Sequence, residues 1–175
     1  MKKILSTLFA TFVMFFASAQ EGLDYYLPGD VSYDKGIPTP EEFFKQELGE
    51  WHLTHDQVLN YMHEIARISD RAIIYEYARS YENKPLVHMV FTSEYNQENL
   101  DELKALHLRY SNPDENIPLE GVPLVVSLTY GVHGNESSGP NASVLTAYHL
   151  AAAHGEKIDA LLNGTIIIMI FYSHF

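Results

Sequence analysis

Apolar residues recur along this chain with two periods, and the change from one to the other outlines its elements. Between about Thr54 and Ser69, Val58, Leu59, Met62, Ile65, Ala66 and Ile68 return every three or four positions, the pattern of a helix with one buried face. The runs Ala72–Ala78 and Leu86–Thr92 are instead β-branched and aromatic, and "YENKP" between them supplies turn residues, so a hairpin is predicted. Residues 97–108 carry Leu100, Leu103 and Leu106 among charges, an amphipathic helix, and "SNPDENIPLEG" reads as a loop. Earlier, "TPEEFFKQELG" predicts a short helix. Thr39 stands at its cap, Pro40 in its first turn and Glu41 and Glu42 at its positive end, with Gly49 closing it.

The last third changes character. "VPLVVSL" and "TIIIMIF" are continuous apolar runs, as expected of strands covered on both faces, and Pro140 to His154 between them reads as a helix. Strand, helix, strand at this spacing is a βαβ unit with parallel strands. The expected fold class is α/β, with a mixed, largely parallel sheet flanked by helices. No internal repeat and no low-complexity tract appears.

The amino terminus adds a compartment. Lys2 and Lys3, the apolar stretch Ile4 to Phe16 and Ala17-Ser18-Ala19 follow the order of a secretory signal peptide. That stretch is short against the roughly 20 residues that span a bilayer. Residues 1–19 are thus read as a signal peptide, 20–50 as an irregular lead-in with a short helix, and 51–175 as the main domain. Secretion or a periplasmic location is expected, with no membrane attachment after cleavage. The formal charge of −12, made more negative by losing two lysines, argues against a nucleic-acid partner. With no cysteine, disulfides, thiolate metal ligands and a cysteine nucleophile are excluded. Asn135, Asn141 and Asn163 each begin an N-x-Ser/Thr pattern, read here as chance.

Chemistry concentrates in "YGVHGNESSGP". His133 and Glu136 stand three apart beyond the carboxyl end of the first strand of the βαβ unit, where ligands collect in open α/β sheets. Imidazole nitrogen and carboxylate oxygen both bind zinc, and Gly131 and Gly134 let the backbone turn closely. Ser137 and Ser138 are candidate caps of the following helix. An H-x-x-E pair is common on solvated surfaces, and catalytic zinc takes three protein ligands, so the pair alone is incomplete. His52, His55, His63, His149 and His154 read as structural or surface residues. His174, after the second strand, is a weak candidate for a third ligand.

On these residues the chain resembles the zinc carboxypeptidases, the metallocarboxypeptidase family, over about Ile37 to Ile170. "IPTPEEFF", "GEWHLTHDQV" and "ARSYENKPL" look like amino-terminal pieces of a secreted bacterial branch, and "GVHGNESSG" matches its H-x-x-E zinc motif. The resemblance implies a mixed eight-stranded sheet between helices, of which this chain holds the first part. It implies His133 and Glu136 as ligands of one Zn2+ ion, and a peptide or protein substrate with a free carboxyl terminus. It further implies a downstream histidine as third ligand, a glutamate base and an arginine for the substrate carboxylate. None of these is assignable here, because after "TIIIMI" the chain reads "FYSHF" and ends. Arg67, Arg71, Arg79 and Arg109 do not match the clamp and read as ion-pair or surface residues. The chain is therefore expected to be truncated, with "TIIIMIF" exposed at the end of half a sheet. An aspartoacylase-type zinc deacylase, which shares the H-G-N-E pattern, is the enzymatic alternative. An inert, non-catalytic fragment or secreted binding module is the other.

Overall fold

A computed structural model describes residues 22–118, 120–133 and 136–171. The signal-peptide reading, Gly134, Asn135 and His174 fall outside them. Among the described residues thirteen elements follow one another: α1 (Leu23–Tyr26), β1 (Ser32–Tyr33), α2 (Pro40–Phe44), α3 (His55–Ile68), β2 (Ala72–Arg79), β3 (Pro85–Phe91), α4 (Glu94–Glu98), α5 (Leu100–Tyr110), β4 (Leu124–Tyr130), α6 (Ser138–Ala152), β5 (Ala153–His154), α7 (Glu156–Gly164) and β6 (Thr165–Phe171). No helix among the described residues is long and apolar enough to cross a membrane.

The helix starts follow their caps. The Thr54 hydroxyl accepts from the Gln57 amide while the Gln57 side chain accepts from the Thr54 amide, and Thr39 and Glu42 form the same reciprocal pair at α2. Helix α2 stops at Phe44, short of Gly49, because Lys45 already adopts a left-handed conformation with φ 59°. The amphipathic stretch after β3 is two helices, α4 and α5, which meet at Asn99.

Four strands form the main sheet in the order β2-β3-β6-β4. The expected hairpin β2–β3 is antiparallel, with an irregularity between Glu76 and Ala78. β3 and β6 are also antiparallel, whereas β6 and β4 run parallel, Leu124 opposite Thr165 and Tyr130 opposite Phe171. The mixed sheet flanked by helices is as expected, but "largely parallel" is corrected: most of its pairings are antiparallel. The physical reason is that an apolar run records burial and says nothing of a neighbour's direction.

A second correction concerns which strand lies at the edge. β6 is not exposed; it is inserted between β3 and β4 and is mostly buried. β4, expected to be covered on both faces, hydrogen-bonds only to β6 among the described residues, and Leu124, Val125 and Val126 are exposed.

On one sheet face Val87, Met89, Phe91, Ile167 and Met169 join Tyr61, Met62 and Ile65 of α3 and Val144, Ala147 and Ala151 of α6 in a single buried core. Alanines along α6 let that helix lie close to its neighbours. The Tyr61 hydroxyl, inside the core, donates to the Pro38 carbonyl at 2.8 Å, which keeps its polar end satisfied. The lead-in is fastened to this body. Ile37 is buried, the Asp34 amide donates to the Ala152 carbonyl at 2.8 Å, and β1 pairs with β5.

At the other end of the sheet Thr92 ties three elements together. Its buried hydroxyl lies 3.0 Å from the Leu162 carbonyl and 2.6 Å from that of Thr165, and accepts from the Asn96 side-chain Nδ2 at 2.9 Å. The start of β6 is thereby held to β3 and α4.

Candidate functional site

β4 delivers the chain to the sheet's carboxyl end, and Gly131 turns it there. Its φ of +69° lies in the left-handed region that side chains with a Cβ avoid. His133 and Glu136 follow within a tight turn, closed by the Glu136 amide donating to the His133 carbonyl at 3.1 Å. Their side chains converge: His133 Nδ1 lies 3.1 Å from Glu136 Oε1, with 69% and 61% of the two side chains exposed.

Helix α6 starts immediately afterwards and is pressed against the strand exit. A Cβ on Gly139 would lie 2.9 Å from the Gly131 amide nitrogen, closer than real Cβ atoms come to backbone, so only glycine permits this approach. Pro140 is buried beside it, and the Ser143 hydroxyl donates to the Pro140 carbonyl at 2.7 Å. The expected serine caps are corrected. Ser137 takes the N-cap position in a helical conformation with φ −66° and ψ −19° and makes no side-chain cap bond. A capping oxygen reaches back to the N2 or N3 amide from extended backbone, which Ser137 lacks.

The separation of 3.1 Å has two physical meanings. It is a hydrogen-bond or ion-pair distance as it stands. It is also a little under the roughly 3.3–3.6 Å between two ligands of a tetrahedral ion bound at 2.0–2.2 Å. The donor types are ones that zinc accepts, and a pair like this would make up two of the three protein ligands that a catalytic zinc site uses. Among the described residues no group of three or more His, Asp or Glu is placed to hold a metal.

Among the described residues, the histidines read from the sequence as structural or surface groups are engaged elsewhere or solvated. His149 Nδ1 is 2.9 Å from the Tyr33 hydroxyl, and His154 Nδ1 is 3.0 Å from Arg71. His55 is buried at the start of α3, while His52 and His63 are exposed. The arginines likewise form ion pairs away from the site: Arg67 with Glu64, Arg71 with Asp159, Arg79 with Glu76 and Arg109 with Glu115. Two clefts, of about 420 and 570 Å³, lie around Arg71 and across the opposite sheet face, and neither includes His133 or Glu136.

Sequence reasoning passed over two residues near the site. Asn141, in the first turns of α6, donates through Nδ2 to the Trp51 carbonyl at 3.4 Å, which fixes the loop before α3 beside the turn that carries Glu136. Trp51 is 64% exposed. A lone tryptophan in a polar loop was the available signal.

Burial makes folding sensitive to acid. His55, His88 and His149 all have pKa values lowered from the ordinary 6.5, each chiefly by desolvation of the charged ring. A depressed folded-state pKa means that the neutral form is favoured in the fold. Their stabilisation is complete above 6.5 and is lost as pH falls below it. Glu64 and Glu115, held below the usual 4.5 by hydrogen bonds from Arg67 and Arg109, act only at lower pH. The urea midpoint is therefore expected to drop between pH 7.5 and pH 5.5, before carboxylates begin to titrate. A flat midpoint over that range would contradict the burial of these three rings.

Compared with protein-family models and with curated proteins, the chain matches none.

Proposed function

We propose that His133 and Glu136 are two ligands of a catalytic zinc ion in a metallocarboxypeptidase, a hydrolase that removes the last residue of a peptide with a free carboxyl terminus. The observation that carries this reading is their convergence to 3.1 Å beyond the end of a parallel strand, on a turn braced by the start of α6. A mixed sheet flanked by helices supports it, as do the segments in which the sequence resembles the zinc carboxypeptidases.

Zinc held there would polarise the scissile carbonyl and lower the pKa of a bound water. His133 offers Nδ1 and Glu136 offers Oε1, and both stand open to solvent, so a peptide end can reach them. No described residue is assigned as the third ligand, the general base or the group that would grip the terminal carboxylate. The aspartoacylase-type deacylase would use the same two ligands on an acylated amino acid. A further reading, a solvated ion pair with no metal, is favoured by the exposure of both side chains.

Equilibrium dialysis against zinc separates these readings. One ion per chain is expected, and affinity should fall at least about ten-fold in both His133→Ala and Glu136→Ala. Both side chains are exposed, so the variants should keep the far-ultraviolet dichroism of the unaltered chain. Equal zinc binding by all three proteins would remove the pair from the metal site. Release of the terminal residue from a peptide but not from its carboxyl-amidated twin would support the carboxypeptidase. Release of an acyl group from an N-acyl amino acid would support the deacylase instead.

A further inference from the structure

We propose that Trp51 is an aromatic platform beside this site that receives a basic side chain, lysine or arginine, of the bound peptide upstream of the cleaved bond. The inference rests on the zinc-site reading for the direction of the peptide and on separate geometry for the contact. Tryptophan is highly buried on average, yet the only one in this chain is 64% exposed on a loop whose main chain is fixed. Its carbonyl accepts from Asn141 Nδ2, and the Asn141 amide in turn donates to the Ser137 carbonyl. Ser137 directly follows Glu136. The backbone of Trp51 is thus tied to Asn141, four residues or roughly 6 Å of helical rise beyond Ser137.

An extended peptide advances roughly 3.3 Å per residue, so one whose scissile carbonyl lies at His133 and Glu136 and whose chain runs toward the first turns of α6 would come to Trp51 within a few residues. A carboxypeptidase leaves a single residue on the far side of the cleaved bond. The residue that reaches Trp51 therefore belongs to the upstream side.

The class of that residue follows from the charges. Glu47 and Glu50 form the turn immediately before Trp51, with the Glu50 amide donating to the Glu47 carbonyl at 3.1 Å. Both carboxylates are exposed, and neither has an ion-pair partner among the described residues. An indole face is the strongest aromatic partner for a cation, and the net charge of −12 draws cationic ligands.

Because the chain has one tryptophan, its emission reports this position alone. The test titrates the zinc-loaded chain with two labelled peptides that differ only in a lysine or a norleucine upstream of the final residue. Trp51 emission and peptide anisotropy are read together. The lysine peptide should change the emission and bind about three-fold tighter than its twin. That preference should vanish in Trp51→Ala and be largely kept in Trp51→Phe. If zinc and peptide both bind but emission is unchanged and Trp51→Ala keeps the preference, the platform is overturned and the zinc reading stands. If emission responds and the lysine preference persists without retained zinc, equally in His133→Ala, the platform stands and the zinc reading falls. If neither zinc nor peptide binds, both are overturned.

Discussion

Phe91→Ala is expected to lower the unfolding free energy by about 3–5 kcal/mol, the usual cost of emptying a buried phenylalanine site. Phe91 has no exposed surface and ends β3, opposite Ala72 on one side and Ile167 on the other. Its ring belongs to the core shared by α3, α6 and the sheet, so its loss removes packing from both layers at once. Thr92, the next residue, holds the start of β6 through its hydroxyl, which leaves the backbone there little freedom to close the cavity. Domains of this kind are stable by about 5–15 kcal/mol, so the variant should lie close to the threshold of folding. Urea unfolding followed by circular dichroism measures this, and a loss below about 1 kcal/mol would show that the ring is not packed as described.

The local elements were legible because their signals are local. Thr54 and Gln57 announce the start of α3 and fulfil it with paired hydrogen bonds, and the hairpin β2–β3 follows from two β-branched runs around Asn83, which takes φ +62°. Sheet order was not legible. "TIIIMIF" and "VPLVVSL" look alike as apolar runs, yet β6 lies between two strands and β4 at the edge. Nothing within either run specifies its neighbours. That depends on where the helices α6 and α7 bring the chain back to the sheet.

The candidate site divides in the same way. His133 and Glu136 could be singled out because residue type, spacing and position after a strand all agree, and the structure brings their side chains together. The contribution of Trp51 was hidden. Its proximity comes from a contact between residues 51 and 141, and a separation of 90 positions leaves no periodic trace. The role expected of Ser137 failed for a different reason. Composition suggested a cap, but backbone conformation decides whether the hydroxyl can reach an amide, and here it cannot.

Gly139→Val should separate stability from site geometry, because it acts on the joint between them. The added Cβ would lie 2.9 Å from Gly131 N, 3.4 Å from Gly131 Cα and 3.9 Å from the Tyr130 carbonyl carbon. All three are backbone atoms that cannot rotate away, so α6 must move off the strand exit or Gly131 must leave its turn. Overpacking of this sort costs about 1–3 kcal/mol, and a β-branched residue in a first helical turn should sit at the upper end. His133 is carried from the strand side of the joint and Glu136 from the helix side, so the same displacement pulls the two donors apart. Zinc affinity should therefore fall along with the urea midpoint. Gly29→Ala is the control, since a Cβ there meets nothing within 4 Å, and it should change neither quantity appreciably. A stability loss in Gly139→Val with zinc affinity intact would mean that the turn holds the His133–Glu136 pair without help from α6. Unchanged values of both would mean that the close approach of helix and strand does not exist in solution.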